Sequence, residues 1–180
     1  MSGKQTGILF LALALLCGCG GKGPQRPSQR KGEKPREDTT QLALMEMTLR
    51  MAEAADQAVE QAVQAQKESF ALYEAHAWIH ISDPGRTDEP TLQPGKSYPV
   101  HMRVYTLEGK LLEDNQGTYT IGKNQLPHAV DRNLREMHPG AKMRMYAPWY
   151  TAFGQQGTEH VPPFENVIID LEIQELKKRF

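Results

Sequence analysis

From Ala77 onward the chain alternates apolar and polar residues in short runs: AWIHI (Ala77 to Ile81), YPVHMRVYT (Tyr98 to Thr106), TYTI (Thr118 to Ile121), AKMRMY (Ala141 to Tyr146) and VIIDLEI (Val167 to Ile173). Successive side chains of a strand leave opposite sides of the backbone, so period two marks strands with one buried face. In the second run Val100, Met102 and Val104 share one side and His101 and Arg103 the other. In the last, Val167, Ile169, Leu171 and Ile173 oppose Asp170, Glu172 and Gln174. One face buried and one wet is the pattern of an antiparallel sheet. Between the third and fourth runs, LPHAVDRNLREM sets Val130, Leu134 and Met137 at helical spacing, with Asp131 four before Arg135, and stops at HPG (His138 to Gly140). This short helix would close a core against the apolar face. The expected class is α+β, a twisted antiparallel sheet wrapped on one short helix.

A long helix is expected ahead of the sheet. The stretch from Thr39 to Tyr73 holds no Gly or Pro, is rich in Ala, Gln, Glu and Met, and follows a capping residue at Asp38 or Thr39. Leu42, Met45, Leu49, Ala52, Val59, Val63, Phe70 and Tyr73 recur at 3-4 spacing, and Asp56 and Gln66 interrupt the seam. Two arrangements fit: a homodimer formed through residues 39–73, or packing on the chain's own domain.

Further upstream, Gly20 to Asp38 shows no apolar periodicity, several Gly and Pro and mostly basic charge. It reads as a flexible spacer reaching about 25 Å. The first nineteen residues place Lys4 before an apolar run from Ile8 to Leu16. That run is shorter than the roughly 20 residues of a spanning helix and matches a secretory signal. It ends in LCGC, which resembles the lipobox of bacterial lipoproteins, with Leu16, Gly18 and Cys19 in place. Both cysteines of the chain lie here, so the mature protein is expected to carry no disulfide. Lipidation at Cys19 implies a membrane anchor. Gly20, with no Asp there, resembles lipoproteins sent to the outer membrane, facing the periplasm. The expected organisation is 1–19 signal and lipobox, 20–38 linker, 39–75 helix and 76–180 sheet domain.

Several chemistries find no support. Lys and Arg number 21 against 22 Asp and Glu, which argues against a nucleic-acid partner held by a basic surface. The six histidines are scattered, and the His76/His80 spacing falls where helix gives way to strand, so neither a metal nor a cofactor is expected. Ser69, Ser82 and Ser97 stand outside any nucleophile-elbow context.

One segment carries a family resemblance. YTAFGQQGTEHVPPFENVIIDLEI is similar to the C-terminal loop and strand of the FKBP-type peptidyl-prolyl isomerases, roughly A-Y/F-G-x-x-G, then I-P-P, then an alternating strand. Upstream, IGKNQLPHAVDRNLREMHPG resembles the family's L-G-x-x-x-V-I-x-G-W-x-x-G-L-x-x-M-x-x-G segment through Ile121, Gly122, Leu126, Leu134, Met137 and Gly140, and YTLEGKLLEDN resembles its early hairpin. The resemblance spans about Ala77 to Leu176. With the lipobox and helical lead-in, the nearest subtype is the lipid-anchored, gliding-motility type of the Bacteroidetes lineage.

The resemblance implies an FKBP-like domain that turns X-Pro bonds without covalent chemistry, cofactor or metal. An apolar prolyl pocket would be formed by Phe153, Val161, Leu126, Val130, Leu112 and Ile169, with Glu113 at the family's Asp. Phe153 stands for the loop Tyr without its hydroxyl, Val130 for the floor Trp, Leu112 for a wall Phe, Ile169 for the strand Phe and Met102 for the first-strand Tyr. Pro127 falls where the family offers a substrate-facing N–H, and proline has none. Two functions follow: an envelope isomerase or foldase acting on exported proteins, or an FKBP-like adaptor that binds or braces another envelope protein with weak turnover. For the anchor, Cys19→Ser is expected to abolish metabolic palmitate incorporation and Cys17→Ser to leave it intact; the reverse pattern would move the site to Cys17.

Overall fold

The computed structural model describes residues 39–174. The signal sequence, the lipobox with Cys19 and the spacer therefore lie outside the described residues. Helix α1 (Thr39–Gln64) leads into β1 (Ala71–Leu72), β2 (Trp78–Asp83), β3 (Ser97–Thr106), β4 (Leu111–Thr120), α2 (His128–Asn133), β5 (Lys142–Ala147) and β6 (Val167–Ile173). A 3₁₀ turn at Leu134–Glu136 prolongs α2. The strands form one sheet in the order β1-β2-β5-β6-β3-β4, and every pairing is antiparallel. No helix among the described residues is long and apolar enough to cross a membrane.

The alternation read from the sequence becomes rows of side chains crossing the sheet. Ile79, Met145, Ile169 and Val104 stand opposite one another on four strands, and Met143, Leu171 and Met102 form the next row. All are buried, and α2 lays Ala129, Val130 and Leu134 on the same cluster. Asp131, itself buried, accepts the Gly122 N–H at 2.8 Å and meets Arg135 at 3.5 Å, tying the end of β4 to α2. Gly122 has φ +80°, a turn conformation that costs glycine nothing.

Three expectations need correction. The outer face of the sheet is not uniformly wet: Trp78, Tyr146, Ile168 and Tyr105 form an apolar row there, which Val59 and Val63 of α1 cover. Only the neighbouring rows are polar, as in the two-point Arg144–Asp170 pair at 2.7 and 2.8 Å. The long helix stops at Gln64 instead of reaching Tyr73, although nothing in between breaks a helix. Packing sets the stop, because Phe70 meets the Tyr146 ring edge-on at 5.1 Å and β1 then pairs with β2. Finally, β4 begins at Leu111, well before the TYTI run, because hydrogen bonding to β3 overrides the weak strand preference of LLEDNQG.

Asp56, which interrupts the apolar seam of α1, has a defined partner. Its Oδ1 accepts the Tyr150 hydroxyl at 2.6 Å, ninety-four residues away, and its Oδ2 lies 3.8 Å from His76 Nδ1. Burial and the bond to Asp56 both push the Tyr150 hydroxyl above its ordinary pKa. A raised phenol stabilises the fold below the unfolded value of about 10, and this contribution is lost as pH climbs past it. Tyr150→Phe is expected to cost about 1 kcal/mol at neutral pH, lowering Tm by a few degrees. The gap to the unsubstituted protein should narrow above about pH 10; equal melting curves at pH 7 would show that the bond contributes nothing.

Candidate functional site

The inner face of the sheet does not end in apolar residues. Across β3, Val104 faces Glu113, Met102 faces Asn115, Val100 faces Gly117 and Tyr98 faces Tyr119. Directly opposed residues share a face, so β4, the edge strand, turns Glu113, Asn115 and Tyr119 to the same side as the core. Gly117 leaves room for an aromatic neighbour, since a Cβ there would lie 3.1 Å from the Tyr119 ring. Burial, and next the charge of Glu113, raise the Tyr119 hydroxyl pKa above the ordinary range.

The opposite wall is a loop held by its own backbone. After β5, Gly154 N–H donates to Trp149 O at 2.7 Å, Thr158 N–H to Val161 O at 2.8 Å, and Phe164 N–H to Gly154 O at 3.2 Å. Thr158 Oγ1 accepts the Val161 N–H at 3.0 Å, and Phe164 packs on Trp149 with ring centres 5.0 Å apart. Gly157, at φ +64°, has no space for a side chain: a Cβ would collide with the Val161 carbonyl and Pro162. Ala129 N–H donates to Thr151 O at 2.8 Å and so fixes the loop to the start of α2.

Between this loop, β4 and residues 124–127 lies a cavity of about 410 Å³. Met102, Leu126, Ala152 and Phe153 supply apolar wall, Tyr119 an aromatic one, and Glu113, Asn115, Gln125, Thr158, Glu159 and His160 polar wall. Gln125 Oε1 accepts the Thr120 N–H at 2.8 Å, bracing the segment that presents Leu126. Pro127 lines the cavity too, and its lack of an N–H leaves that stretch of wall without a donor.

Of the residues expected from the sequence, Phe153, Leu126 and Glu113 are brought together in this wall. Val130, Val161 and Ile169 are 0% exposed, within the core cluster and not among the residues lining the cavity. Leu112 packs against that cluster from the bulge where β3 and β4 change register. Nothing in the sequence pattern singles out Asn115, Tyr119, Asn124, Gln125, Ala152, Thr158, Glu159 or His160, which line the cavity as well. Tyr119 comes nearest to being legible, since it lies two residues from Ile121 in a period-two run.

The cavity lies within a span that matches a known family: residues 89–174 fit the model described as FKBP-type peptidyl-prolyl cis-trans isomerase. This span, 86 of the 180 residues, is similar to an FKBP-type domain. Among curated proteins none matches this chain in sequence. Solved structures resemble it in fold. FkpA from Escherichia coli aligns with a TM-score of 0.58 at 15% identity over 76% of this chain, which spans 64% of FkpA. A peptidyl-prolyl cis-trans isomerase from Pseudomonas syringae pv. tomato aligns at 0.59 and 17% identity, over 71% of this chain and 94% of that one. AtFKBP13 aligns at 0.53 and 18% identity, over 59% of this chain and 98% of its own. At these identities the likeness is one of fold.

Proposed function

We propose that this chain is a lipid-anchored peptidyl-prolyl cis-trans isomerase of the cell envelope that receives X-Pro segments of exported proteins in the groove beside Phe153. The observation that carries the reading is the cavity itself, set within the matched span and walled by Met102, Leu126 and Phe153. Rotation about an X-Pro bond loses amide resonance at a barrier of about 18–20 kcal/mol. The twisted amide is less polar than the planar one, so an apolar wall that excludes water favours the transition state over the ground state. Shortening tens of seconds to milliseconds requires about 5.5 kcal/mol.

The signal-like start, the lipobox at Cys19 and Gly20 support outer-membrane anchoring with the domain in the periplasm, in the manner of the lipid-anchored Bacteroidetes subtype. A second reading, an FKBP-like adaptor with weak turnover, is favoured by Pro127 and by Met102, which stands in the wall where the resemblance places a Tyr. The exposed first half of α1 supports a homodimer in either case. Leu42, Leu44, Met45, Met47 and Leu49 are 52–63% exposed there, and a helix this apolar on several sides is ordinarily covered.

Exchange spectroscopy on a Leu-Pro peptide is expected to show acceleration by the purified protein. Phe153→Ala should weaken peptide binding by about 1–3 kcal/mol with Tm retained. Binding without acceleration would select the adaptor; unchanged binding in a folded Phe153→Ala protein would remove the peptide from this groove. For the dimer, sedimentation is expected to give a two-copy mass that reverts to one copy in Met45→Glu/Leu49→Glu. A one-copy mass before substitution would exclude it.

A further inference from the structure

Apart from His160, the ionisable carboxylate, lysine and arginine positions of the groove wall are of one sign. Glu113 and Glu159 stand in its wall, and neither Lys nor Arg does. Neither carboxylate forms an ion pair among the described residues. Glu113 has only a long contact, 3.4 Å, from the Asn115 amide, so most of its hydrogen-bonding capacity is open to a ligand. The two come from different walls, Glu113 from the β4 edge and Glu159 from the loop beyond Gly157, so a bound segment would pass between them. The half-buried Tyr119 adds an aromatic surface of the kind that attracts a cation. The apolar wall of Met102, Leu126 and Phe153 can receive a proline ring or the methylene stem of a long side chain.

We infer that this groove, read as an X-Pro site, selects segments with a lysine or arginine beside the proline and rejects those with an aspartate or glutamate there. Specificity is a difference of affinities, and unneutralised carboxylates act on both sides of that difference. They attract a cationic neighbour, and they repel an anionic one that would fit the apolar wall equally well. The inference depends on the groove being the peptide site but not on its catalytic efficiency, because the selection is made in binding.

The test is titration of the protein with three peptides identical except for Lys, Leu or Glu before proline, followed by chemical-shift changes. At low salt the Lys-Pro peptide is expected to bind about tenfold more tightly than Glu-Pro, with Leu-Pro between them. The ratio should fall to about twofold near 1 M salt, where the screening length is about 3 Å. It should fall similarly in Glu113→Gln/Glu159→Gln, and partly in Glu159→Gln alone, at an exposed loop position where folding is least at risk. The ratio is taken within each variant, so a general loss of affinity leaves it unmoved. Equal affinity for Lys-Pro and Glu-Pro, or a preference that survives the double substitution, would overturn the inference while leaving the groove as the peptide site. Failure of all three peptides to bind would overturn the groove itself, and this inference with it.

Discussion

One row of buried side chains decides where everything else can sit. Ile79, Met145, Ile169 and Val104 lie side by side across four strands, each no more than 2% exposed. Burying such a side chain stabilises by about 1.5–3 kcal/mol. A one-residue slip would turn the whole row outward, so the register is held. The same register carries the row one strand further, to Glu113 on β4. A carboxylate can end an apolar row only where water or a ligand reaches it. The groove is therefore the place where the inner face of the sheet outruns its core.

The loop facing β4 is rigid for reasons of its own. Pro162 and Pro163 remove two donors and fix φ, while Val161 just before them is fully buried and anchors the turn. Its remaining backbone bonds are spent internally or on α2. Tyr150, at the root of the same loop, is held by Asp56, so the covering half of α1 and the groove wall form one packed unit. The segment before β2 bends to complete this contact: Ala75 and His76 both have positive φ, 58° and 53°. Each costs about 1–2 kcal/mol in a residue with a Cβ. Asn133 Nδ2, donating to Glu74 O at 3.1 Å, and the Arg132–Glu74 pair at 2.9 Å hold the bend in place.

What the sequence reveals follows from where periodicity survives. The strands β3 and β6 were legible because one face of each is wholly apolar, and α2 because Val130 and Leu134 recur on one side. Ile168 and Tyr146 were opaque: they fall on the polar side of their strands, and only the arrival of α1 explains them. The start of β4 was hidden for a related reason, since Glu113 and Asn115 point inward to a groove and so carry no hydrophobic signal. The end of α1 carries no Gly or Pro signal: Gln66 Nε2 donates to the Ala62 carbonyl at 3.0 Å there, and Phe70 packs on Tyr146. In the groove, Phe153 and Leu126 were found through pattern resemblance. Thr158, Glu159 and His160 belong to a loop whose facing depends on tertiary packing. The same pattern nominated Val130, Val161 and Ile169, which lie in the core cluster.

If the groove beside Phe153 is an X-Pro site, its departures from the FKBP pattern would bear unequally on turnover. A hydrogen bond made equally to the planar and the twisted peptide lowers KM without raising kcat. The resemblance aims the donor missing at Pro127 at the peptide's flanking backbone, which changes little as the amide rotates, so its loss, about 1 kcal/mol, would fall chiefly on binding. Met102 in place of an aromatic would cost shape more than dryness, because it is apolar and 4% exposed. Selection for the less polar transition state rests on dryness. If the groove holds an X-Pro peptide, binding would be both the step that Pro127 weakens and the one on which the charge of Glu113 and Glu159 acts.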